Sequence, residues 1–235
     1  WSWTWRRPRR RFPLWPGLRL RGWGFNTAAS WSDDAIYARP ILHTRCLWLG
    51  NPSGNRLIDV FNPDYERRLD EQARKDVAPH RSDRWLVGWY INNELPWYGD
   101  VGWPTSPDIS LLSRYFELPG SYAGKREVVK FLRAHYGDSF PAFASEWQCP
   151  ARSFDAMETA KELKPRHPRA ALAVAAWAGV VAERYFALTC AAIRKYDANH
   201  LILGVRIAGS APAPVLRACA RHCDVFSLNY YMKSG

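Results

Sequence analysis

The five cysteines of the 235-residue chain include no CxxC pair, and no His completes a metal-ligand spacing near Cys219 and Cys223. Structural zinc spacing is therefore absent, and free thiols packed in a core are the expectation. No G-x-G-x-x-G follows a strand, which removes the phosphate fingerprint of a dinucleotide-binding fold. No stretch reads as the roughly 20 apolar residues of a membrane span, and the basic start lacks the apolar centre of a secretory signal. Lysine is scarce beside arginine, and no acid precedes Asp33. Seven arginines within residues 1–22 carry most of the formal charge of +11. Residues 1–22 are read as a basic, irregular segment. Its arginines and tryptophans offer charge and stacking to nucleic acid, but composition bias is the favoured explanation. Residues 23–235 form the domain that remains.

An apolar content of 47% supports a core. Trp85 to Ile91 is an apolar run bounded by turn formers, the pattern of a strand buried on both faces. Residues 23–29, 40–44, 201–205 and 224–231 read as further strands. Asn62 and Pro63 read as a helix start, followed by a stripe of Tyr65, Leu69, Ala73 and Val77. Lys125 to Tyr136, with Val128, Phe131, Leu132 and His135 inward, Val180 to Tyr196 and Val215 to Arg221 read as helices. Residues 95–124 are an excursion rich in Pro, Gly, Trp and Tyr. Strand and helix alternate, which argues a parallel α/β fold.

Polar residues cluster where strands should end: Asn26, His43, Asn93 with Glu94, Arg206, and Asn229 with Tyr230. That is where a β/α barrel places chemistry. Glu94 is the sharpest of them. An apolar wall disfavours the charged form of a carboxyl, which suits a proton donor near neutral pH. The competing reading is a surface Glu starting a loop, which the apolar frame disfavours. Trp31, Trp89, Trp97, Tyr98 and Trp103 offer flat faces for a sugar ring, though strand-end aromatics are often core plugs. Asp33 and Asp34 are as readily helix caps as ligands. Asp100 follows Gly99 in a loop, where a solvated turn is the simpler reading.

These segments together resemble the catalytic barrel of clan A glycoside hydrolases, near the β-galactosidase and β-agarase families (families 42 and 50). The segments are Trp23 to Thr27 with Trp31-Ser-Asp33, Asp59 to Asp64, Gly88 to Trp97, Ile193 to Gly204, and Asp224 to Tyr231. The resemblance implies a (β/α)8 barrel and a retaining mechanism on a β-linked galactoside or related polysaccharide. In that mechanism two carboxyls stand about 5 Å apart, one the acid/base and one the nucleophile. Glu94 matches the acid/base, and Asn93 the amide that holds the sugar 2-hydroxyl. Arg206, Asn229 and Tyr230 match strand-end positions framing the site, with Asn26, Trp31, His43 and Trp97 as further sugar contacts. The mechanism requires no metal and no cofactor.

The family carries its nucleophile after the seventh strand, whereas the strand at 224–231 resembles the sixth. The chain thus reads as barrel strands two to six, with the nucleophile missing. Glu146 is the substitute candidate, but its segment better resembles the excursion after the acid/base strand. Glu117 and Glu127 belong to that excursion too. Two alternatives stay open: a catalytically inactive carbohydrate-binding remnant, and a basic nucleic-acid binder. An oligosaccharide or polysaccharide is the expected partner, with no membrane. Oligomeric state and localisation are left open.

Overall fold

The computed structural model describes residues 20–50, 59–99 and 109–230. The arginine run, Asp100, Trp103 and the last five residues, and what was read into them, lie outside these.

Strands β1 (Thr27–Ala28), β2 (Leu42–Cys46) and β3 (Leu86–Tyr90) pair in parallel and in chain order. A bulge between His43 and Thr44 shifts the register of β2 on β3. Between β1 and β2 lies α1 (Asp34–Tyr37), capped by the Asp33 carboxylate, which accepts from the Ala35 amide at 2.8 Å. Helix α2 (Tyr65–Asp76) links β2 to β3. Its buried residues are Tyr65, Leu69 and Ala73, and Val77 continues the stripe. The helix starts two residues past Pro63. The Asn62 side chain accepts from the Asp64 amide at 2.9 Å and closes a turn ahead of the helix.

The described part of the excursion after β3 holds three short α-helices and a hairpin. It contains α3 (Leu111–Phe116), α4 (Ala123–His135), α5 (Phe140–Glu146) and a hairpin of β4 (Trp147–Gln148) with β5 (Lys164–Pro165). A reciprocal Ser110–Ser113 capping box starts α3. His135 is exposed rather than inward, because α4 turns only Val128, Val129 and Leu132 fully into the core at that end. Lys125 is 0% exposed. Its ammonium donates to the Phe116 and Ala160 carbonyls and lies 3.3 Å from the centroid of the Phe116 ring. Burial lowers its pKa to about 8.

Helix α6 (Ala170–Tyr196) begins ten residues before Val180, because the alanine-rich stretch ahead of it is itself a good helix former. It is long and apolar enough to cross a membrane by length and composition. Within the fold it packs against α2, α3, α4 and α7 (Ala213–His222), burying Trp177, Tyr185 and Phe186. Trp177 is ringed by Phe61, Tyr115 and Phe131 at centroid distances of 5.5, 5.2 and 5.3 Å. Aromatic contacts of this kind each add about 0.5–1.5 kcal/mol beyond area burial.

After α6 the chain joins the sheet through β6 (Leu201–Ile202), parallel to β3. Gly88 allows this approach: a Cβ there would stand 2.4 Å from the Leu201 carbonyl oxygen. The strand bends at Gly204 and resumes as β7 (Ile207–Ala208), which pairs in parallel with β8 (Leu228–Asn229). Backbone bonds cross the bend, from Ile91 N to Gly204 O at 2.9 Å and from Glu94 N to Val205 O at 3.3 Å. The fold is thus α/β, with parallel strand paths that follow one another in chain order and helices between them.

Candidate active site

Four residues with left-handed backbone mark the carboxyl ends of the strands. They are Trp31 (φ 69°), Trp48 (φ 52°), Glu94 (φ 52°) and Arg206 (φ 46°). Each stands two to four residues past the end of β1, β2, β3 or β6. Non-glycine residues seldom adopt this conformation, which costs on the order of 1–3 kcal/mol and gathers at functional sites.

Asn229 ties the group together. Its amide nitrogen donates to Glu94 Oε1 at 2.7 Å and to Asn93 Oδ1 at 3.1 Å. Its amide oxygen accepts from Arg206 Nε at 2.9 Å. The Arg206 guanidinium carbon lies 4.4 Å from the Trp31 ring centroid and 5.4 Å from that of Tyr90. Trp31 in turn leans on Trp48 at 6.2 Å. With 53% of its surface exposed, Trp31 presents an aromatic face beside a carboxylate, two amides and a guanidinium. Beneath the cluster, Asn92 is fully buried and accepts from the Asn93 amide at 2.8 Å. Burial pushes the Cys46 thiol up to about 11, against the opposing pull of the Trp48 amide and Arg206.

Five expected site residues therefore come together: Trp31, Asn93, Glu94, Arg206 and Asn229. Tyr230 follows Asn229 and is 74% exposed. Three others lie elsewhere. His43 is fully buried near the amino end of β2, with its ring nitrogens facing the Ile41 carbonyl at 3.1 Å and Asp83 at 3.4 Å. It is off the rim because β2 runs on through Arg45 and Cys46, which pair with Trp89 and Tyr90. Asn26 precedes β1 and lines an exposed cleft with Leu42 and Trp85, at the opposite end of the sheet. Trp97 is only 5% exposed, stacked on Phe186 at 5.7 Å and edge-on to Tyr185 at 5.8 Å, so it plugs the core instead of offering a face. Trp89 is buried as well, donating to Asp197 at 2.8 Å.

Glu146 is anchored in the excursion, accepting from Tyr136 Oη at 2.8 Å, which itself accepts from Trp147 Nε1 at 2.8 Å. Burial and then the Glu146 carboxylate push Tyr136 up to about 12. Glu117 and Glu127 pair with Arg114 and Lys130 on helix surfaces. Trp48 was not anticipated. Its only sequence signal is the continuation of the β2 pattern beyond Thr44. Among the described residues, no group of three or more His, Cys, Asp or Glu is placed to hold a metal.

Sequence comparison finds two similar proteins. Beta-agarase A of Vibrio sp. (strain JT0107) is 27% identical over 237 residues, covering 92% of this chain and 24% of the agarase. Beta-agarase B of the same strain is 22% identical over 232 residues, covering 91% and 24%. The chain resembles β-agarases. It spans about a quarter of the length of these two relatives. A solved agarase structure superposes with a TM-score of 0.76 at 23% identity, over 92% of this chain and 32% of that one. Other solved structures with this fold include an exo-beta-agarase, with a TM-score of 0.73 at 24% identity over 91% of this chain and 31% of that one, and a beta-galactosidase from the psychrophilic Marinomonas ef1, with a TM-score of 0.59 at 13% identity over 92% and 38%. No protein-family model matches.

Proposed function

We propose that this chain carries the acid/base half of a retaining glycoside hydrolase acting on β-linked galactosides or related polysaccharides. Residues 23–235 are its catalytic domain, an arc of a (β/α)8 barrel corresponding to about strands two to six. The parallel order β1, β2, β3 and β6 supports that reading, since a doubly wound sheet reverses its order.

The observation that carries the proposal is the Asn93–Glu94 pair beyond β3, held by the Asn229 amide. Glu94 is the proton donor to the leaving glycosidic oxygen. Asn93 binds the sugar hydroxyl beside the scissile bond, and Arg206 with Trp31 forms the wall against the ring. Tyr230 extends that wall. The β-agarase kinship supports a polysaccharide as the partner. Covalent catalysis requires a second carboxylate about 5 Å from the first. In this reading the nucleophile is missing from this chain, which binds sugar and hydrolyses little or none of it.

The test uses the full chain with agaro-oligosaccharides and an aryl β-galactoside. Calorimetry should register oligosaccharide binding, while hydrolysis stays at the level of Glu94→Gln. Turnover well above that variant contradicts the missing nucleophile. Absence of any sugar binding contradicts the site itself.

A further inference from the structure

Three of the five cysteines gather where α6 meets α7, on elements that do not supply the strand-end cluster. Cys190 Sγ of α6 stands 3.8 Å from Cys223 Sγ. Cys190 and Cys219 are 5% and 1% exposed, whereas Cys223 is partly exposed. Cys223 also leaves the helix: it is the C-cap of α7, with extended backbone at φ −98° and ψ 151°. Its side chain can therefore turn without unwinding α7.

We infer that Cys190 and Cys223 form a thiol–disulfide exchange site for a low-molecular-weight disulfide such as oxidised glutathione. Two displacements complete the exchange. The Cys223 thiolate attacks one sulfur of the small disulfide, forming a mixed disulfide and releasing one glutathione thiolate. The Cys190 thiolate then attacks the Cys223 sulfur and releases the second. The protein loses two hydrogens and gains an S–S bond, and one glutathione disulfide becomes two glutathiones.

Exposure and distance set the order of events. Cys223 is the thiol a solute can reach, and Cys190 is the one that resolves. Cys219, one turn back on α7, also contacts the Cys223 thiol and is the competing resolver. Cys190 is favoured because its sulfur stands 3.8 Å from that of Cys223. Contact with Cys190, opposed by contact with Cys219, and then burial raise the Cys223 thiol above its usual range, which makes the exchange slow.

The bridge ties α6 to the path leading into β8. Asp224, the next residue, accepts from the Ile202 amide at 2.6 Å and pairs with Arg194 of α6. Asn229 lies five residues on. Oxidation thus pins the strand that holds Glu94 in place.

The full chain is incubated with oxidised glutathione, quenched with an alkylating reagent, and examined by intact mass and peptide mapping. The expected product has two fewer alkylated thiols, no retained glutathione, and a cross-linked peptide joining Cys190 to Cys223. Cys190→Ala should trap glutathione on Cys223, and Cys219→Ala should still form the bridge. If Cys190→Ala does not fold, Cys219→Ala still decides the partner. A Cys219–Cys223 bridge, glutathione retained on the unaltered chain, or an unmodified Cys223 overturns the inference.

Discussion

Two polar clusters in this molecule use the same chemical groups to opposite ends. Around Asp197, where α6 turns into β6, a buried carboxylate accepts from Trp89 Nε1 at 2.8 Å and from the Asn199 and His200 amides at 3.0 and 3.2 Å. The His200 ring adds a contact of 2.6 Å, and its other nitrogen faces the Asp83 carbonyl at 2.9 Å. None of Asp197, Asn199 or His200 has left-handed backbone. Around Glu94 the carboxylate is only partly buried, an aromatic face is open to solvent, and the backbone is left-handed at Glu94, Arg206, Trp31 and Trp48. A satisfied, buried carboxylate on relaxed backbone is a fastener. On the proposed reading, a partly solvated one on strained backbone is a group held ready for substrate. The difference lies in strain and access, not in residue type.

Mutations should separate the two. Asp197→Ala carries the largest expected effect. It leaves the Trp89 indole and two amides buried without their acceptor, and should cost about 3–5 kcal/mol in urea unfolding. Burial tends to raise the Asp197 carboxyl, but the His200, Trp89 and amide hydrogen bonds outweigh it and hold the group below its usual value. An acid lowered on folding stabilises above its unfolded pKa of about 4 and loses that contribution as pH falls through its folded value. The urea midpoint should therefore drop below pH about 4 in the native sequence, and less steeply in Asp197→Asn.

Asn229→Ala comes next, because one side chain bridges Arg206, Asn93 and Glu94. Its loss should cost about 1–3 kcal/mol and weaken sugar binding together with stability. Equal stability with weakened binding would make the bridge purely functional.

Lys125 sharpens the contrast from a third place, as a buried cation whose folded pKa is lowered to about 8. Between that pH and its unfolded value, near 10.4, the unfolded chain holds a proton that the folded chain has released, so stability should rise with pH. The rise should vanish in Lys125→Met, followed by chemical denaturation from pH 7 to 10.

Glu94→Gln should change stability least, by less than about 0.5 kcal/mol, because the amide oxygen still accepts from Asn229. A loss like that of Asp197→Ala would erase the distinction between fastener and site.

The parts of this arrangement readable from sequence are those with strong periodic or punctuation signals. The Trp85 to Ile91 run gives β3, and steps of four from Tyr65 give the buried face of α2. Glu94 and Arg206 stand out as polar residues directly after apolar strands. What sequence could not convey was where short strands stop. β1 has two residues, so Asn26 falls before it, and β2 runs two residues past Thr44, so His43 falls inside it. Trp97 illustrates another limit: a tryptophan after a catalytic-looking Glu reads alike whether it faces solvent or packs on Phe186. The start of α6 was hidden because alanine-rich sequence lacks a polar face to set the period.

The most direct test of a sugar site at the strand ends is a nuclear magnetic resonance titration of the full chain with an agaro-oligosaccharide. Shifts should concentrate on Trp31, Asn93, Glu94, Arg206 and Asn229, leaving Asp197 and His200 unmoved. Shifts centred on the Asn26 and Trp85 end of the sheet, or none at saturating sugar, would contradict the account.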